Sequence, residues 1–343
     1  MIHSNHALRA TFIALLTVAP VQAAEEPVLN LYSARHYQTD EALYDTFTRS
    51  TGIRINRIEA GDDQLVERLK SEGAASPADV LLIVDAARLA QAQQLGLFQP
   101  VSSPILDERV PATYRDPAGH WYGFSYRARV IVYNKASVDP ADIASYGALA
   151  DPRNKGKICT RSGSHPYNLS LIGSRIAHVG GAQAEAWAKG VVGNMARAPQ
   201  GGDTDQIKAV AAGECSIALT NTYYYARLIR SKNPADREIV AKTGVVWPDQ
   251  AGPGTHVNIS GAGVIKHAPH RENAIKFLEY LAGNDAQRYF ADGNNEWPVA
   301  PSAAVTNPAL EAMGKFKADP LPIATLGKNT AEAQRIADRS GWK

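Results

Sequence analysis

The sequence predicts an α/β protein of two lobes, each wound on both faces of its own sheet, with two strands crossing between the lobes. Three observations carry this. Strand-like and helix-like stretches alternate through residues 28–95, the alternation resumes after residue 157, and the stretches 121–134 and 256–265 are placed to pass from one half to the other.

Residues 28–33 form a strand pattern ending in a polar turn. A helix is predicted over 41–50, with Leu43, Tyr44 and Phe47 on one face and Gly52 as its stop. Residues 53–58 alternate as a second strand. Leu65, Val66 and Leu69 mark a helix over 64–71, and 79–84 is a continuous apolar run suited to a strand buried on both faces. A third helix over 86–95 is stopped by Gly96. After a proline-rich connection, residues 100–117, comes the long crossing strand 121–134. Residues 157–160 read as a strand, 161–168 as a loop and 169–178 as a helix. Helical patterns follow over 182–192 and 203–212, then a short strand at 216–219, three consecutive tyrosines, and a helical pattern over 226–230. The return strand 256–265 leads to an amphipathic helix over 271–281.

Residues 1–24 read as a cleaved targeting segment. Arg9, His3 and His6 give a basic start, 10–19 is a short apolar run, and Val21-Gln22-Ala23-Ala24 offers small residues for a signal peptidase. The apolar run is too short for a membrane helix, and no later stretch reaches the roughly 18 residues one needs. The mature chain is therefore expected in a bacterial periplasm. Net charge is +2, and about +1 once Arg9 is removed, so no basic field points to nucleic acid. Two cysteines, Cys159 and Cys215, belong to no C-x-x-C pair. In an oxidising compartment they form either one disulfide or two buried thiols.

The sequence carries no G-x-S-x-G, H-E-x-x-H or phosphate-loop signature, and His165 beside Ser164 does not make a catalytic pair. An enzyme is not expected. What recurs is tyrosine after strands: Tyr37 with His36 after the first, Tyr167 after the first strand of the second half, and Tyr223 with Tyr224 after a later one. Loops at the carboxyl ends of parallel strands converge on one cleft. Four phenols and an imidazole gathered there would suit a small, hard, highly charged cation such as ferric iron. Taken singly, each of these rings also fits simple packing. Tyr225 is expected to face the core, since neighbouring residues cannot all reach one point. Arg127 and Arg129 share a strand face, and one of them is expected to be solvated. An alternative within the same fold is an anion or small organic solute receptor using Arg127, Ser162 and backbone amides.

Through Leu31-Tyr32-Ser33-Ala34-Arg35-His36-Tyr37, Ser125-Tyr126-Arg127-Ala128-Arg129, the stretch from Ile158-Cys159-Thr160-Arg161-Ser162 to Tyr167-Asn168, and Asn221-Thr222-Tyr223-Tyr224, the chain resembles the periplasmic ferric-iron-binding proteins of ABC iron importers, most of all their cyanobacterial-type Fut branch. The resemblance covers essentially the whole mature chain. It implies a type-2 periplasmic binding fold, Fe(3+) as the transported ligand, and Tyr37, Tyr167, Tyr223 and Tyr224 as metal ligands, with His36 as a variable one. It further implies that Arg127 faces the ligand sphere or an anion, a role to which Ser162 is also assigned, and that carbonate or water can complete the shell. Pro166 restricts the residue before it and so bears on the aim of Tyr167. The expected partner is an inner-membrane ABC permease, and the protein is expected to be monomeric. Expected boundaries are 25–128 with 256–300 for lobe 1, and 129–255 with 301–343 for lobe 2.

Overall fold

The structure is a computed structural model that describes Met1 and residues 26–35 and 40–343. The rest of the expected targeting segment and the pair His36–Tyr37 lie outside the described residues.

The first half follows the predicted alternation: β1 (Val28–Ser33), α1 (Asp40–Thr51), β2 (Arg54–Glu59), α2 (Asp62–Glu72), β3 (Val80–Val84) and α3 (Ala86–Gln94). β1 pairs in parallel with both β2 and β3. Side chains on successive strand residues face opposite ways, and this divides the core. Leu29 and Leu31 pack with Leu43 and Phe47 of α1 on one face. Tyr32, Leu81 and Ile83 pack with Leu65 and Leu69 of α2 and Leu89 of α3 on the other. The apolar run of β3 is buried on both sides for this reason.

α4 (Pro104–Arg109) precedes β4 (Tyr122–Asn134). The second half then runs β5 (Ile158–Cys159), α5 (Pro166–Val179), α6 (Gly181–Gly193), α7 (Asp203–Ala212), β6 (Ile217–Asn221), α8 (Thr222–Arg230), α9 (Pro234–Lys242) and β7 (Thr243–Val246). The chain returns as β8 (Val257–Val264) and ends with α10 (Arg271–Leu281), α11 (Asn284–Asn294), β9 (Trp297–Pro298), α12 (Pro308–Ala312) and α13 (Ala324–Ser340).

β4 joins the two halves. From Tyr122 to Ala128 it pairs antiparallel with β8, giving the strand order β2-β1-β3-β8-β4. From Arg129 onward it pairs with β6 on one edge and β7 on the other, and β5 adds to β6 in parallel. β8 enters beside this junction, where the Arg129 amide donates to the His256 carbonyl at 2.9 Å. Arg127 and Arg129 therefore stand where one sheet gives way to the next.

Three elements correct the predicted boundaries. α5 begins at Pro166, so Tyr167 and Asn168 lie in its first turn and not in a loop. A proline at the first helical position loses no hydrogen bond, and His165 caps the helix through Nδ1, which accepts from the Tyr167 amide at 3.3 Å. β6 continues to Asn221, and the following helix starts at Thr222, ahead of the tyrosines. Cys159 and Cys215 form a disulfide with a Cα–Cα distance of 5.9 Å, which resolves the two alternatives left by composition. α13 packs across α5, α6 and α3. Its Gly327 lies so close to Ala90 of α3 that a Cβ there would collide. Among the described residues, no helix is long and apolar enough to cross a membrane.

Candidate metal centre

Tyr167 and Tyr223 are each the second residue of a helix that starts at the carboxyl end of a strand in the same parallel pair, β5 and β6. The two first turns lie side by side, and the phenol oxygens meet at 3.0 Å. The Tyr224 ring is 4.2 Å from that of Tyr223, centroid to centroid. Tyr223 is buried, and Tyr224 is half-buried. Tyr225 turns into the core as expected, and its hydroxyl donates to the Thr243 carbonyl at 2.9 Å. Thus three of the four expected tyrosines come together.

Cations surround these rings. The guanidinium carbons of Arg161, Arg127 and Arg129 lie 5.1, 5.6 and 5.8 Å from the centroid of Tyr167. That of Arg227 lies 5.6 and 5.5 Å from those of Tyr223 and Tyr224. These guanidinium groups place fixed positive charge beside all three rings.

Neither Arg127 nor Arg129 is solvated, which corrects the expectation that one of them would be. Both are buried on the face of β4 turned toward Tyr167. Arg129 holds the two tyrosine turns together. Its Nη1 donates to Asp203 Oδ2 at 2.6 Å and Asn221 Oδ1 at 3.2 Å, and its Nη2 donates to Asn168 Oδ1 at 2.8 Å. Asn168 follows Tyr167, and Asn221 stands two residues before Tyr223. Asp203 also accepts from the Asn221 amide at 2.7 Å.

Arg127 is different. Among the described residues, none of its three guanidinium nitrogens has a hydrogen-bond partner, and its ion pair with Asp85 is long, at 4.0 Å. Burial works against its charge, but the fields of Glu296, Tyr167, Asp85 and Tyr223 outweigh that and raise its pKa. Buried polar groups left unpaired are uncommon and costly. This one is aimed at the tyrosines.

His165 stands edge-on to Tyr167 at 4.4 Å. Burial and the charge of Arg161 push its pKa down to about 2, so its ring is neutral. Ser162 lies in the segment just ahead of α5. Its hydroxyl accepts from the Ser164 amide at 3.2 Å, and it lines a cleft of about 640 Å³ between α3, the turn before α5, and α13. Tyr167 instead opens, with His165, toward Arg88, Val84 and the turn of residues 61–64 in the first half.

Arg35 and Asp40 flank the segment that carries His36 and Tyr37. Arg35 is buried and pairs with Asp40 at 3.0 Å and with Glu296 at 3.4 Å. Glu296 Oε2 in turn accepts from Ser125 Oγ at 2.5 Å and Ser260 Oγ at 3.3 Å, on β4 and β8. Sequence reading missed Arg129 as an anchor, together with Asp203, Asp85 and Ser170. The one available signal was the asparagine standing near each tyrosine turn. Among the described residues, no three His, Cys, Asp or Glu side chains are grouped to hold a metal ion.

Residues 75–317 match the family described as bacterial extracellular solute-binding protein. The chain is 51% identical over 323 residues to iron uptake protein A2 of Synechocystis, covering 94% of this chain and 92% of that one. It is 30% identical over 342 residues to the major ferric iron-binding protein of Neisseria meningitidis serogroup B, covering 97% and 98%. Among solved structures, Trichodesmium IdiA (FutA) in complex with iron and citrate ligands superposes with a TM-score of 0.89 at 53% identity, over 92% of this chain and all of that one. These relatives are transport and binding proteins. The chain belongs to the bacterial extracellular solute-binding family and, within it, to the group of ferric-iron-binding proteins.

Proposed function

We propose that this protein captures Fe(3+) in the periplasm, in a cleft between two lobes, through tyrosinate oxygens, and delivers it to an ABC permease of the inner membrane. The 3.0 Å approach of Tyr167 and Tyr223 beneath an array of arginines is the observation that supports it most. A phenol in water titrates near pH ~10, and a bound cation releases that proton by favouring the charged ligand. Tyr167, Tyr223 and Tyr224 supply oxygens from one lobe. Tyr37, with His36 as a further ligand, completes the set from the other lobe when the cleft closes about the strands that join them. The lobes in this reading are 25–128 with 256–300, and 129–255 with 301–343.

Four phenolates overbalance a trivalent ion, and the fixed charges of Arg127 and Arg227 offset the excess. Arg127, whose buried nitrogens have no hydrogen-bond partner among the described residues, is also where a carbonate or water completing the shell would be held. Ser162, turned to the larger cleft, is the weaker part of that assignment. Release to the permease follows from opening, since the ligands come from both lobes. Equilibrium competition against a polycarboxylate chelator tests the reading: the iron-stripped protein should take ferric ion from it and leave calcium and magnesium free. Failure to compete for ferric ion would contradict it.

A further inference from the structure

Asp85 follows β3 as the cap of α3, with φ of 92°, a left-handed backbone that a non-glycine residue adopts only at a cost in free energy. It is fully buried, and its carboxylate serves three other elements besides its own helix. It caps α3 by accepting from the Ala87 amide at 2.9 Å. It accepts from Asn258 Nδ2, on β8, at 2.9 Å, and from Ser170 Oγ, on α5, at 2.9 and 3.0 Å. It faces Arg127, on β4, at 4.0 Å. A strained backbone persists only where its surroundings over-determine it, and such positions cluster at functional sites.

The partners explain the strain. Ser170 stands three residues after Tyr167 on the same helix, and residues so spaced share a helical face. Asp85 comes from the first sheet, whereas α5 belongs to the second. The hydroxyl therefore docks the turn carrying Tyr167 onto the opposite half of the molecule. Through Arg127, whose guanidinium lies 5.6 Å from the Tyr167 ring, the same carboxylate reaches the other side of that side chain.

We propose that Asp85 is the positioning residue for Tyr167 across the cleft: by accepting from Ser170 and facing Arg127, it holds the tyrosine turn in the closed arrangement and so sets how long the bound ion stays. Asp85 touches no ligand in this role and acts through Ser170 and Arg127. The inference rests on the ferric-binding function proposed above.

Ser170→Ala removes the docking hydroxyl and leaves the charges in place. In stopped-flow transfer of iron from the loaded protein to excess chelator, it should speed release about ten- to a hundredfold, the range for loss of a partner that orients a metal ligand. The position of the visible absorption band should stay near the wild-type value and the melting temperature should fall by only a few degrees, and Ser170→Thr, which keeps the hydroxyl, should restore slow release. Release from Ser170→Ala at the wild-type rate would overturn the proposal. Small-angle scattering of the iron-free proteins separates this from failure of the ferric reading. A larger radius of gyration in Ser170→Ala than in wild type supports Asp85 as an inter-lobe contact whatever the cargo, and an identical radius counts against it.

Discussion

The phenol oxygens of Tyr167 and Tyr223 lie 3.0 Å apart although 56 residues separate them in sequence. Two short parallel strands, one followed at once by a helix and the other after the six residues 160–165, bring them there, and Arg129 ties the two turns to one buried cation. A hydroxyl pair of this kind, ringed by guanidinium groups, needs only loss of its protons to become a chelating edge.

Replacing either Tyr167 or Tyr223 by Phe should lower ferric affinity roughly a hundredfold or more, about 2.7 kcal/mol of binding free energy. Tyr225→Phe provides the contrast. It loses one hydrogen bond to Thr243, so it should cost about 1 kcal/mol of folding stability and leave iron affinity unchanged. Chelator competition and urea unfolding of the three variants check both halves.

Arg129→Met should be among the most damaging single changes outside the tyrosines. It would leave Asp203 buried with its closest cation gone, and breaking a buried ion pair by removing one partner costs about 3–5 kcal/mol. Arg129→Lys cannot reach Asp203, Asn221 and Asn168 together, because it lacks the planar fork. It should fold but bind iron more weakly than wild type. Calorimetric melting combined with iron titration distinguishes the two.

Acid should weaken the fold through its buried histidines. Burial, together with Arg129 and Arg127 and despite the opposing field of Asp319, pushes His256 down to about 3. In the unfolded chain a histidine titrates near ~6.5. Above that pH both states are neutral and nothing is lost. As pH falls through it, the unfolded chain takes up a proton that the folded one refuses, so stability drops by up to ~1.4 kcal/mol per pH unit for this one group. His165, depressed to about 2, acts in the same direction. Urea unfolding at pH 7 and pH 5 should show the fall, and His256→Gln should flatten it.

The disulfide closes a loop that carries the Tyr167 turn and ends just before β6. Replacing both cysteines by Ser should cost about 4 kcal/mol, because the unfolded chain regains the entropy of a loop of that size. Tyr167, Tyr223 and Arg129 are held by hydrogen bonds independent of the bridge, so the doubly substituted protein, kept at a temperature where it is folded, should retain its ferric affinity.

Most of the fold was legible because its elements announce themselves locally. The strand–helix alternation over residues 28–95 and the length of 121–134 are direct consequences of periodicity and burial. Tyr167, Tyr223 and Tyr224 were legible through their positions after strands. The extent of α5 was not: the helical pattern shows only from residue 169, whereas Pro166 stands at the first helical position and His165 supplies the cap. Arg129 and Asp85 were hidden for a different reason. Their roles depend on partners 39 to 173 residues away, and a buried arginine on a strand has the same local pattern as a solvated one. Ser162 lines the larger cleft beside α3 and α13, a placement that its position in sequence does not fix.

The most direct test of tyrosinate coordination is a visible-absorption titration of the iron-stripped mature protein with chelated ferric ion. A broad red-to-purple charge-transfer band should grow and saturate at one ferric ion per chain, and it should weaken in Tyr167→Phe and Tyr223→Phe. A folded protein that binds ferric ion with no such band, or a band untouched by both substitutions, would contradict coordination by these tyrosines.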